Sequence, residues 1–341
     1  GSLRSAIAIA SNGSTINFGD LEGTITLQTG LGQLTKNITI AGNGKVTIDG
    51  TNVVGPNGNP AQGLYCAAQV TISDLAIKNF SGNGIYATED CDNSTFQNLT
   101  LSQNDASGIN INGASGVRVD NNIIFDNGRY GIYTTGDAGV LTKNTVGTDA
   151  DGTTTVGNTD HGIYIVGSTA TDNMVDQNSV RFNGASGIFV FTEADRAIIS
   201  GNTISHNAKK GIHLRNSRDH TIANNTVQEN GGDGIMVASN TDLVLTGNTI
   251  SGNGGSDVDD DTQNGLQLES STATIGDAGD GNTIVKNNND GVLATSSTLT
   301  LVDNFIGTDA DNSAGKGNGK HGVDIVGESI MVSEQKISFI Q

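Results

Sequence analysis

Residues 206–230 read HNAKKGIHLRNSRDHTIANNTVQEN. Three short stretches in it alternate apolar and polar residues: Gly211 to Arg215, His220 to Ala223, and Thr226 to Gln228. Each is too short for a helix and carries a period of two, so each reads as a strand. Asn, Ser, Asp and Gly fill the gaps, and these are turn residues. Three strands in 22 to 25 residues describe one closed coil, with Ile212, Leu214, Ile222 and Val227 pointing inward.

The same unit recurs along the chain. A Gly followed by Ile, Leu or Val stands at Gly63, Gly84, Gly108, Gly131, Gly162, Gly187, Gly211, Gly234, Gly265, Gly291 and Gly322, in steps of 21, 24, 23, 31, 25, 24, 23, 31, 26 and 31 residues. A second marker keeps phase with it: Asn98, Asn122, Asn144, Asn178, Asn202, Asn225, Asn248, Asn282 and Asn304. Two residue types sharing one period of this length indicate a solenoid. The Asn column is expected to stack along one edge, each amide bonding the coils above and below while its backbone takes the left-handed turn conformation.

These units resemble the right-handed parallel β-helix repeat family over roughly residues 63–326. The resemblance implies an all-β, single-stranded right-handed parallel β-helix. One domain is expected over 1–341: an N-terminal cap and first coils (1–62), regular coils (63–326), and a C-terminal cap or tail (327–341). Residues 2–11, SLRSAIAIAS, place a Ser N-cap before Leu3, Ala6, Ile7 and Ala10 at helical spacing, which predicts a short helix capping the first coil. The opening GSLRSAIAIAS is also similar to the Cys-Ser-Leu-Arg-Glu-Ala motif that opens bacterial surface β-helix proteins, with Gly1 for the Cys and Ser5 for the Glu.

Composition narrows the partners. The formal net charge is −19, which disfavours nucleic acid and suits an extracellular or cell-surface protein kept soluble by self-repulsion. Only 34% of residues are hydrophobic, yet the strict Ile/Val periodicity argues against disorder. No stretch is long and apolar enough to span a membrane, and no charged-then-apolar leader opens the chain. Cys66 and Cys91 lie 25 residues apart, about one coil, so an adjacent-coil disulfide and two buried free thiols both stay open.

The first outward position of each Gly-Ile strand reads Tyr65, Tyr86, Asn110, Tyr133, Tyr164, Phe189, His213, Met236, Gln267, Leu293 and Asp324, and holds four of the five tyrosines. An exposed aromatic column suits stacking on sugar rings, with phenol tips bonding hydroxyls; the alternative is cross-strand stacking that stabilises the sheet. Tyr65, Tyr86, Tyr133 and Phe189 are therefore candidate binding residues. Arg196, Lys209, Lys210, Arg215 and Arg218 are five of the 17 basic residues, packed into 23 positions, with His206 and His213 among them and His220 just beyond. Such an island on an acidic protein suits an anionic polysaccharide, with Arg218 a binding candidate; the alternative is a set of local ion pairs with Asp195 and Asp219.

The units GASGIFVFTEADRAIISGNTISHN and AKKGIHLRNSRDHTIANNTVQENGGDGIMV further resemble, more loosely, the mannuronan C5-epimerase and polysaccharide lyase branch of β-helix proteins. That resemblance implies Arg215 or Lys210 as carboxylate neutraliser, His213 as base, and Tyr164 or His161 as acid. The Asp-Pro-His-Asp motif of those epimerases is absent, and the nearest match is Asp160-His161. A non-catalytic surface adhesin or spacer is the competing expectation. Finally, two loops, 146–163 and 306–323, both place Gly-Thr-Asp-Ala-Asp ahead of a His-Gly pair. Asp149 with Asp151, and Asp309 with Asp311, suit Ca²⁺; the same loops also read as Asx turns without metal.

Overall fold

The computed structural model describes residues 2–152, 155–255, 262–308, 315–327 and 330–337. The chain is an all-β parallel solenoid of about 12 turns with one short N-terminal helix. It divides into two compact units, Gly1–Ile165 and Val166–Gln341.

In the first unit the helix Leu3–Ile9 is capped by Ser2, whose side chain accepts the Ser5 N–H at 3.2 Å. Leu3 and Ala10 are buried, as their spacing predicts. Arg4 and Lys36 pin the helix by donating to the Thr29 and Ala8 carbonyls at 2.8 and 3.2 Å. The Gly-Ile strands Leu64–Cys66, Ile85–Ala87, Ile109–Ile111 and Ile132–Thr134 stack in parallel and in register, and Tyr133 pairs with Tyr164. The other two strands of each coil share a second sheet, and Val70–Lys78 runs through both as one bent strand paired along Ile38–Asp49. The expected three-sided coil thus carries two hydrogen-bonded sheets, one of them bent. Isoleucine, leucine and phenylalanine fill the interior, with Ile48, Ile77, Phe96 and Leu101 fully buried.

Cys66 and Cys91 are buried and unbridged. Their side chains hydrogen-bond each other, and that bond together with burial holds the Cys66 thiol well above its ordinary pKa. The free-thiol reading therefore replaces the disulfide.

The second unit repeats the pattern. Ile188–Phe191, Ile212–Arg215, Ile235–Ala238, Leu266–Glu269, Val292–Thr295 and Val323–Val326 stack in parallel. Ile212, Leu214, Ile222 and Val227 are all fully buried, as expected. Ile330–Ile337 is a strand paired with Thr298–Ile306, so the C-terminal departure from the repeat ends on the sheet.

The Asn column is a true ladder. Asn225 accepts the Asn202 amide at 2.9 Å and donates to Asn248 at 3.0 Å and to the Ile199 carbonyl at 2.8 Å. Two details differ from expectation. Asn98 is outside the ladder: it is exposed, and Leu99 takes the position that donates to Asn122. The left-handed residue is the one before the rung, as at Asn121, Lys143, Gln177 and Asn224, with φ of 54°, 55°, 56° and 57°. That turn aims the following Asn inward, where its amide adds a second donor to backbone carbonyls such as Ala223 O, which also accepts the Gly201 N–H. A second buried ladder runs through Asn183, Asn207, Asn230, Asn253 and Asn287 in the second unit.

Candidate functional site

The first unit gathers aromatic rings at its outward column. Tyr130 stacks on Tyr133 (centroids 5.5 Å, 17°) and on His161 (6.0 Å, 10°). Tyr164 meets Tyr130 and Tyr133 edge-on at 5.1 and 5.6 Å, and lies 5.3 Å from His161. The Arg129 guanidinium sits 4.8 Å over the Tyr130 ring, and Asp160 Oδ1 lies 3.5 Å from His161 Nε2. Register explains the gathering: Tyr133 and Tyr164 are strand partners, while Tyr130 and His161 each precede a Gly marker on successive coils. Burial, then the neighbouring Tyr130, Tyr133 and Asp160, push the Tyr164 phenol up to about 12. Tyr164 therefore keeps its proton at neutral pH and stands as a neutral hydrogen-bond donor. Further along the same unit Tyr65 and Tyr86 form a smaller pair at 5.2 Å, and Tyr65 borders a 620 Å³ cavity lined also by Val54, Pro56 and Pro60.

The candidate residues of the second unit form different groups. Phe189 stacks on His213 (4.5 Å, 17°) and on Phe191 (5.3 Å, 22°). His213 and Arg215 pair with Phe189 and Phe191 along the strand, so both face outward, and Arg215 is exposed. Lys210 is half-buried, just before Gly211. Arg218 does not join this face. It forms an isolated parallel bridge with Thr241, and its backbone N–H and its Nε donate to Asp195 at 3.0 and 2.8 Å. Arg196 holds Asp172 with two 2.7 Å bonds. These two arginines border a 620 Å³ hollow with Glu193, Asn216 and Thr241. Part of the basic island is thus a set of inter-coil ion pairs. Its histidines also divide. His206 bonds Glu229 at 2.8 Å, and His220 is fully buried. The Ala197 N–H donates to His220 Nδ1, and burial pulls the imidazole pKa down to about 4.

Of the acidic loops, Asp149 and Asp151 meet no cluster of three ligating side chains among the described residues, and Asp309 and Asp311 lie outside those residues. Such a cluster forms instead at Asp290, His321 and Asp324. Tyr130, Arg129 and Asp290 were missed from sequence. For Tyr130 and Asp290 the signal was the residue just before each Gly marker. In the second unit that position is a third polar ladder: Asp233 accepts the Asn264 N–H at 2.8 Å, Asn264 the Asp290 N–H at 3.1 Å, and Asp290 the His321 N–H at 2.8 Å.

The profile of the right handed beta helix region matches residues 29–170 and 138–306. The chain belongs to this family. No curated protein matches it in sequence. Among solved structures, the chain is similar to a mannuronan C-5 epimerase A-module of Azotobacter vinelandii (17% identity, TM-score 0.65, 99% of this chain and 93% of that one). It is also similar to a Streptococcus pneumoniae surface protein and adhesin (13%, 0.64, 96% and 94%). A third is the catalytic unit of an alpha-1,3-glucanase from Streptomyces thermodiastaticus (16%, 0.60, 97% and 65%). At these identities the likeness is one of fold.

Proposed function

We propose that the chain binds an acidic polysaccharide outside the cell, through the aromatic face of its first unit. One observation carries the reading. Tyr130 and Tyr164 each lie within 5.1–6.0 Å of the other and of both Tyr133 and His161, with Arg129 on the edge of the group. Aromatic faces stack on pyranose rings, phenols bond hydroxyls, and a guanidinium pairs with a uronate carboxylate. No helix among the described residues is long and apolar enough to cross a membrane. Similar structures include an alginate epimerase described as periplasmic, a phage tailspike and a surface adhesin, and this context supports the extracellular setting.

A second reading, uronate lyase or C5-epimerase, rests on Tyr164. On this reading Tyr164 is the acid, His161, 5.3 Å from it, the base, and Arg129, 4.8 Å from the Tyr130 ring, the neutraliser of the substrate carboxylate. The set His213, Arg215 and Lys210, with Phe189 as platform, is a further binding surface in the second unit under the same proposal. Arg218 has its Nε and backbone N–H committed to Asp195 and contributes less.

The test is a panel of uronate polymers, read by affinity, by absorbance of unsaturated product and by proton exchange at C5. Arg129→Ala weakens binding a few-fold, and most at low ionic strength. Turnover in the wild type that vanishes in Tyr164→Phe establishes the enzyme reading. Unchanged affinity for every polymer in Arg129→Ala and Tyr164→Ala leaves the spacer reading in its place.

A further inference from the structure

The third ladder ends in an unusual group. Asp290 lies on the coil before His321, and its side chain is only 7% exposed. Asp290 Oδ1 accepts the His321 backbone N–H and lies 2.8 Å from His321 Nδ1. Asp324 Oδ2 stands 3.7 Å from the same Nδ1. Asp324 arrives there because its strand, Val323–Val326, stacks on Val292–Thr295 directly after the Gly291 turn.

Among the described residues no lysine or arginine pairs with Asp290 or Asp324, so His321 is their single side-chain partner. Two carboxylates at this separation repel unless a cation sits between them. The whole chain makes that worse, at a net charge of −19. One ligand atom from each of the three residues falls within 4.8 Å of the others, which is the spread of donors around one ion.

We propose that Asp290, His321 and Asp324 bind a divalent transition cation such as Zn²⁺. An imidazole nitrogen with two carboxylate oxygens is a borderline donor set, suited to Zn²⁺ and its neighbours. Ca²⁺ takes oxygen ligands and gains nothing from His321. Asp290 is fixed by the ladder and His321 is largely exposed, at 62% of its side chain, so the ion enters from the solvent side and keeps at least one position for water. Its effect is to clasp the coil carrying Val323–Val326 to the coil before it. This inference is independent of the polysaccharide reading, since it uses no residue of the first unit.

The fold itself offers a mild variant. Asn264 occupies the same ladder position as Asp290 one coil earlier and makes the same backbone bond, so Asp290→Asn removes the charge and keeps the rung. The experiment titrates chelator-stripped full-length protein with Zn²⁺ alone, by calorimetry and by melting temperature, with Ca²⁺ as control. Wild type takes up Zn²⁺ and melts higher in its presence, and Ca²⁺ does not compete. Asp290→Asn and His321→Ala each lose about 100-fold in Zn²⁺ affinity, at or beyond the cost of losing a residue that merely orients a ligand. Both melt like wild type in chelator. Zn²⁺ affinity unchanged in His321→Ala and Asp324→Asn, two substitutions outside the buried rung, overturns the proposal. So does a wild type that binds no Zn²⁺.

Discussion

His161 and His321 close two copies of one loop pattern, yet the neighbours around them are opposite in kind. Each follows Gly-Thr-Asp-Ala-Asp by the same spacing, precedes a Gly marker, and has its ladder neighbour 31 residues earlier. In the first unit that neighbour is Tyr130 and the next outward residue is Tyr164, so His161 lies among rings. In the second they are Asp290 and Asp324, so His321 lies between carboxylates. The backbone delivers the imidazole, and two side chains decide what it does. A solenoid can change a site's chemistry without altering its frame, because each coil is held by ladders buried behind the face.

The sharpest way to break this comparison is to exchange the neighbours. Tyr130→Asp with Tyr164→Asp rebuilds the Asp-His-Asp set around His161. Affinity for acidic polysaccharide should fall about 100-fold, at roughly tenfold per stacking ring, and Zn²⁺ binding should appear in the first unit. Calorimetry with each ligand decides. A double variant that keeps its polysaccharide affinity shows that the rings only brace the sheet.

A third histidine extends the contrast. His220 has neither rings nor carboxylates in hydrogen-bond contact; it is sealed in the core with its Nδ1 accepting a backbone N–H and its Nε2 bonded to Ser217 Oγ at 2.9 Å. Its folded pKa, about 4, lies below the unfolded value of 6.5. The neutral ring is thus favoured in the folded state. Its contribution to stability is complete above pH 6.5 and is lost as pH falls toward 4, amounting to about 3 kcal/mol. Denaturant titrations at pH 7 and pH 4.5 should show most of that loss, and His220→Gln should flatten it. An equal pH slope in the variant assigns the loss to other groups.

The smallest effect separates rung from non-rung. Asn225→Leu should cost about 1–3 kcal/mol, because Asn202 and Asn248 each lose a buried partner. Asn98→Gly, which keeps the left-handed backbone of that exposed turn (φ 54°), should change stability by less than about 1 kcal/mol. Equal costs would remove the distinction between the two asparagines.

These pairs also mark what could be read from the chain. Inward residues such as Ile212 and Val227 were legible because alternation encodes facing directly. Tyr133 and Tyr164 were legible as strand partners because both stand two places after a Gly marker. Tyr130 and Asp290 were not, since the residue before the marker sits in turn-like sequence and its side-chain direction depends on the left-handed turns upstream. Asn98 misled because it precedes Leu99, the residue that holds the rung position. The basic island misled differently. Arg196 and Asp172 are 24 residues apart, as are the rungs Asn178 and Asn202. A charge one coil away is a spatial neighbour, while the charges adjacent in sequence spread over three sides.

The ladders run one way: in the second unit each rung donates forward to the next, from Asn178 through Asn202, Asn225, Asn248 and Asn282 to Asn304. Such a ladder has no memory of length. Every interior rung presents the same donor ahead and the same acceptor behind, so a gene segment encoding one full coil can be copied or excised and the severed ends still match. Natural variation in this lineage should therefore come in whole turns, with coil number drifting freely and insertions within a coil, such as the longer step from Asn248 to Asn282, confined to its loops.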